Sequence, residues 1–213
     1  MKHNNRKQIE DFTAFLKKYY QDKERPFKSE KVTKAIIKMM LGLNECIGQA
    51  GVEALPSVSR LCKAAHCSRT TFYQTFTNVE GLLEMETDIY LHVQKKLIIY
   101  LIQRDDERLR QTLRLCIKRV LLTPQLLLFS FVQRQALTSR TRDLLVSIIG
   151  NEDKRVEECL AILAGLLFIQ FSVLRTDNQL SNEEKIDCAE AVCYDYLLRE
   201  PFFSDLSGAD TSK

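Results

Sequence analysis

No stretch of the chain alternates polar and apolar residues at the two-residue period of a half-buried strand, so a β-sheet is not expected. The longest uncharged run, Cys159 to Leu174, is shorter than the roughly 18 residues a bilayer span requires, so membrane insertion is not expected. A glycine-rich phosphate loop, a zinc-binding His-Glu helix and a nucleophile beside a recognisable base are all lacking. No enzymatic activity, cofactor or metal is therefore expected. The polar start, Met1 to Arg6, leads into no apolar segment of the secretory kind, and the seven cysteines are odd in number and show no paired short spacing. Both features point to a reducing, cytoplasmic setting in which the cysteines act as small hydrophobes.

Glycine and proline are scarce, at seven and four in 213 residues. Few positions can therefore interrupt the pattern that is present, which is helical throughout. Apolar residues make up 45% of the chain, enough for a sizeable core. Charge is unevenly divided: residues 1–79 carry 14 Lys and Arg against 7 Asp and Glu, a net +7, whereas the whole chain has a net charge of +3. A basic amino-terminal third is the electrostatic footprint expected of phosphate contact.

Ile9, Phe12, Phe15, Leu16 and Tyr19 recur at helical spacing, which predicts an amphipathic helix ending before Pro26. Its stripe must rest on the following domain or on a partner. Residues 29–50 predict a second helix, capped by Ser29 and ended by Gly51, whose Ile36, Met40, Leu43 and Ile47 face inward. Residues 55–83 then read as two short helices joined by a tight turn. Val58, Leu61, Cys62 and Ala65 form one apolar face in the first of them. In the second, Ser68 is the cap and Phe72 and Phe76 an i, i+4 pair, which leaves Arg69, Thr70, Tyr73 and Gln74 outward. The turn needs a residue of positive φ, and that position falls to His66. Cys62, His66 and Cys67 lie close in sequence, but both cysteines stand where small packing residues are needed. They are read as such rather than as a metal or redox site.

The run Ser68-Arg69-Thr70-Thr71-Phe72-Tyr73-Gln74-Thr75-Phe76, followed by Asn78, Glu80 and Leu82-Leu83, resembles the signature of the tetracycline-repressor-like (TetR) family of transcription regulators. The resemblance covers roughly residues 30 to 83. It departs from the family pattern at His66, which stands at the turn glycine, at Thr70, a position usually held by a small residue, and at Val79, where a phosphate-holding lysine is usual. Pro56 also replaces a common threonine cap, with Ser57 able to take over the capping.

The resemblance implies an all-α protein in which a three-helix helix-turn-helix domain is followed by a helical effector-binding and dimerisation domain. The boundaries expected are 1–28 for an amino-terminal extension, 29–79 for the DNA-binding domain, 80–203 for the second domain and 204–213 for a disordered tail. A Thr77–Glu80 capping box should open a long helix to about Gln103, with further helices over 106–122, 124–138, near 141–149, 151–175 and, after a Ser181 cap, 183–199.

The expected partner is double-stranded DNA, bound by a homodimer at an inverted repeat. Arg69 and Gln74 would read base edges and Thr70 a thymine methyl, while Ser57, Lys63, Ser68 and Tyr73 would hold phosphates. A small, largely apolar effector is also implied, with His92, Tyr100, Phe129, Gln133, Phe168 and Gln170 as pocket candidates. Gly165 and Leu166, on a helix apolar nearly all round, are the dimer-interface candidates. The alternative is a TetR-like co-activator that has lost DNA binding and docks a partner protein.

Overall fold

The computed structural model describes residues 2–23, 29–50, 55–133, 135–176 and 179–199. Among the described residues there are ten helices and no strand, so the protein is all-α. They are α1 Lys2–Asp22, α2 Glu30–Ala50, α3 Val58–Ala64, α4 Arg69–Tyr73, α5 Val79–Ile102, α6 Asp106–Leu122, α7 Pro124–Gln133, α8 Gln135–Ile149, α9 Asp153–Thr176 and α10 Asn182–Arg199. The expected stops at Pro26 and Gly51 and the tail 204–213 lie outside the described residues.

Short polar side chains start most of these helices by accepting otherwise unpaired backbone N–H groups. Ser29 Oγ accepts from the Val32 N–H at 3.4 Å, and Asp105 Oδ1 from that of Arg108 at 3.1 Å. Ser181 and Glu184 form a reciprocal box: Ser181 N–H donates to the Glu184 carboxylate at 2.7 Å, and Glu184 N–H to Ser181 Oγ at 3.3 Å. The start of α5 differs from the expected Thr77–Glu80 box. Asn78 is the cap, its Oδ1 accepting from Gly81 N–H at 2.9 Å while its Nδ2 donates to Glu80 at 3.2 Å. Asparagine caps as well as threonine or better, and here it stands one residue closer to the helix. Helices α7 and α8 cover 124–133 and 135–149, and residue 134 lies outside the described residues.

The chain forms two compact units. The first comprises α1 to α4, α5 as far as Tyr90, and α7; the second comprises α5 from Leu91, α6 and α8 to α10. Helix α7 belongs to the first unit although it follows α6 in sequence. The reason is a long-range cap: Asn44 Oδ1 on α2 accepts from the backbone N–H groups of Gln125 at 2.8 Å and Leu126 at 3.1 Å. Leu126 and Phe129 of α7 are then buried in the core around α2.

That core joins Ile36, Met40, Leu43 and Ile47 of α2 to Leu61, Cys62, Phe72, Phe76 and Val79. Phe12, Leu16, Tyr19 and Tyr20 of α1 are buried in the same cluster, so the amino-terminal helix is a wall of the first unit. Burial of each such side chain contributes about 1.5–3 kcal/mol relative to exposure. Gly42 permits the closest approach in it. A Cβ built there would stand 2.7 Å from the backbone N of Ala65 and 2.9 Å from its Cα, so only glycine lets α3 end against α2.

In the second unit α9 packs against α8 and α10. By length and composition α9 could cross a membrane, but Val156, Cys159, Leu163 and Leu166 are buried inside the unit. Arg114 on α6 ties α6 to α10 through Asp187 at 2.5 Å, Glu190 at 3.0 Å and Glu183 at 3.2 Å, and these carboxylates hold its guanidinium above its ordinary pKa, Asp187 first. One turn away, the Arg110 guanidinium stacks 3.5 Å from the Tyr194 ring. Arg142 of α8 pairs with Asp153 and Glu157 at the start of α9.

Gly42→Ala should destabilise the protein by about 1–3 kcal/mol, because the methyl meets backbone that cannot move aside without parting two helices. Urea unfolding measures it. A stabilisation of about 0.5–1 kcal/mol, the usual gain of alanine over glycine in an open helix, would show that the approach is not tight.

Candidate nucleic-acid interface

The α3–α4 pair is built on two caps and one left-handed turn. Ser57, with φ −63° and ψ 153°, caps α3 by accepting from Arg60 N–H at 3.3 Å. The helix ends in a Schellman motif: Cys67 N–H donates to Cys62 carbonyl at 3.0 Å, His66 N–H to Lys63 carbonyl at 3.3 Å, and His66 takes φ 48°. The residue expected at the turn is therefore the one in the left-handed region, at a modest conformational cost that glycine would avoid.

Ser68 then caps α4, its Oγ accepting from Thr71 N–H at 3.0 Å and lying 2.8 Å from Thr71 Oγ1. Phe72 is fully buried and Phe76 nearly so, their ring centroids 5.8 Å apart. These two rings fix which way the short helix faces. All seven residues expected to touch DNA, Ser57, Lys63, Ser68, Arg69, Thr70, Tyr73 and Gln74, are exposed. The Tyr73 ring is 50% exposed, and the Arg69 guanidinium stands 6.0 Å from its centroid. Ser57 already accepts a capping bond, so toward a phosphate it is left with its O–H as donor. Val79 is buried against the first unit's core, so the head of α5 brings no cation to this face.

Lys38 was not anticipated. It is exposed on α2, and its charge acts on the Cys67 thiol, which places it beside the turn. The signal in the sequence is the spacing of Lys31, Lys34 and Lys38, which share one face of α2 outside the apolar stripe. Lys34 pairs with Glu30 at 2.5 Å, whereas no acid follows Lys38 at the same spacing before Gly42.

The six pocket candidates are divided between the two units. Phe129 lies in the core of the first unit, 6% exposed. In the second unit His92 and Tyr100 are half-buried, the Arg108 guanidinium standing 5.8 Å from the Tyr100 ring. Gln170 is buried, and its side chain acts to lower the Cys193 thiol, against the larger upward push of burial. Phe168 is 72% exposed and points to solvent. The side chain of Gln133 lies outside the described residues.

The interface candidates are also turned inward. Leu166 is 2% exposed, and a Cβ on Gly165 would stand 2.5 Å from the Tyr196 hydroxyl of α10 in the same chain. Gly165 serves the α9–α10 contact. The outward stripe of α9 is Ala161, Ala164 and Phe168, and that of α10 includes Cys188, Val192 and Leu198. Uniform apolarity along α9 conceals this division, because sequence alone does not tell which side α10 covers.

The sequence matches no family model, no curated protein and no solved structure.

Proposed function

We propose that the protein is a TetR-like DNA-binding transcription regulator, acting as a repressor that binds an inverted-repeat operator as a homodimer and is released by a small effector. The observation that carries this reading is the division of α4 and the residues just after it: Phe72 and Phe76 are buried while Arg69, Thr70, Tyr73 and Gln74 are all exposed. A short capped helix anchored by two rings and lined outside with donors suits the major groove, where Arg recognises guanine and Gln adenine in bidentate fashion. The positive balance of residues 1–79 favours approach to phosphate. Effector release is read from α5, which runs unbroken from Val79 in the first unit to Ile102 in the second. An effector acts through such an element only by its differential affinity for two states.

The dimer is read from the exposed apolar stripe on α9. A stripe of Ala161, Ala164 and Phe168 leaves small residues against which a symmetry mate's Phe168 can pack. A second reading, a co-activator that docks a partner protein, is favoured by one observation, the burial of Val79 where the family pattern has a phosphate-holding lysine.

Arg69→Ala should cost about 1–3 kcal/mol and relax preference at one base pair per half-site. Lys63→Ala and Lys38→Ala should weaken all sequences alike and reduce the salt slope by about one unit each. Quantitative binding across single-base variants of a bound duplex separates the two classes; an unchanged preference profile in Arg69→Ala would show that this helix does not read bases.

Phe168→Arg should leave helicity intact and raise the dimer dissociation constant at least about thirtyfold, roughly 2 kcal/mol, as measured by light scattering over a dilution series. Leu166→Arg, by contrast, should unfold the second unit. A Phe168→Arg protein with the wild-type mass at every concentration would place the interface elsewhere.

A further inference from the structure

We propose that Cys62 and Cys67 form a thiol–disulfide exchange site, which closes to an intramolecular disulfide when it meets a small-molecule disulfide such as oxidised glutathione. The two residues hold the C3 and C″ positions of the Schellman motif that ends α3, defined by the Cys67 N–H to Cys62 carbonyl bond at 3.0 Å and the positive φ of His66 between them. Side chains at these two positions pack together, ordinarily as an apolar pair. Here both are thiols. The Cys62 thiol is among the groups that raise the Cys67 thiol, and its Sγ donates to the Ser68 carbonyl at 3.8 Å.

Access to the two is unequal. Cys67 is half-buried and Cys62 only 5% exposed, so a dissolved disulfide reaches Cys67 first. The Cys67 thiolate attacks one sulfur of the reagent, forming a mixed disulfide and expelling the first glutathione thiolate. Cys62, losing its proton to solvent, then attacks the Cys67 sulfur, forming the internal bond and expelling the second. Two protein thiols are oxidised and one disulfide is reduced to two thiols. Burial pushes the Cys67 thiol up to about 11, so its thiolate fraction, and the rate, should rise about tenfold per pH unit between 7 and 9.

Cys116 and Cys193 are also near each other, but both are buried in the second unit and pushed up to about 12 by desolvation, which makes them internal controls. Exposed Cys188 is the control for simple accessibility. The inference stands on the turn alone and holds whether or not the protein binds DNA.

The test uses full-length protein treated with oxidised glutathione at about pH 8.5, near the ordinary thiol pKa, then acid-quenched, alkylated and digested with trypsin. Because Lys63 lies between the two cysteines, the expected product is the peptide pair Leu61–Lys63 and Ala64–Arg69 joined by a disulfide, lost on reduction. Cys62→Ser should stop at a glutathione adduct on Cys67, and Cys67→Ser, at the half-buried position where folding is least disturbed, should abolish both products. Recovery of the two peptides alkylated and unlinked while Cys188 carries glutathione would overturn the proposal. So would a linked pair that appears only once circular dichroism shows unfolding.

Discussion

A helix as short as α4 has no stability of its own, since nucleation costs more than one or two hydrogen bonds return. It exists because Phe72 and Phe76 are buried in a core to which five other helices, α1, α2, α3, α5 and α7, contribute. Everything proposed for the outward face depends on that burial, because the rings set the rotation that leaves Arg69, Thr70 and Gln74 in solvent. The same constraint explains the small residues around it. Gly42 admits the end of α3, Cys62 and Ala65 are buried at the crossing, and Ser68 closes the start of α4 with a bond to Thr71. A larger residue at Gly42 would move the turn and, with it, the register of the exposed face.

The second unit is held differently. Much of its organisation is polar and lies between helices: the carboxylates of α10 surround Arg114 of α6, and those of α9 meet Arg142 of α8. Because these groups are partly exposed, each pair contributes modestly and their value lies in alignment. Apolar packing in this unit is asymmetric. On one side of α9, Cys159, Leu163 and Leu166 are covered; on another, Phe168 stands in water at a position where a large ring costs solubility unless something covers it.

The two short helices α3 and α4 and the turn between them were legible in the sequence because their determinants are local. The Ser57 and Ser68 caps, the positive φ of His66 and the Phe72–Phe76 anchor are all set within a few residues, and each is found where the spacing places it. What could not be read is set by partners far along the chain. Asn44 caps α7 from about eighty positions upstream, which returns that helix to the first unit and buries Phe129 there. Gly165 faces Tyr196, a pairing that the near-uniform apolarity of α9 does not encode. The Asn78 cap in place of Thr77 is a smaller case, in which two adjacent residues were both able to cap and backbone geometry decided.

The central claim is that the face of α4 left exposed by Phe72 and Phe76 reads DNA sequence. Selection of bound duplexes from a random pool by the full-length protein tests it most directly, with the Arg69→Ala protein carried in parallel. The account predicts enrichment of an inverted repeat by the wild type, with half-sites roughly one helical turn apart, and loss of one conserved base pair per half-site in the variant. No enrichment over the input pool, at a salt concentration low enough for the positive first unit to hold any DNA at all, would contradict it.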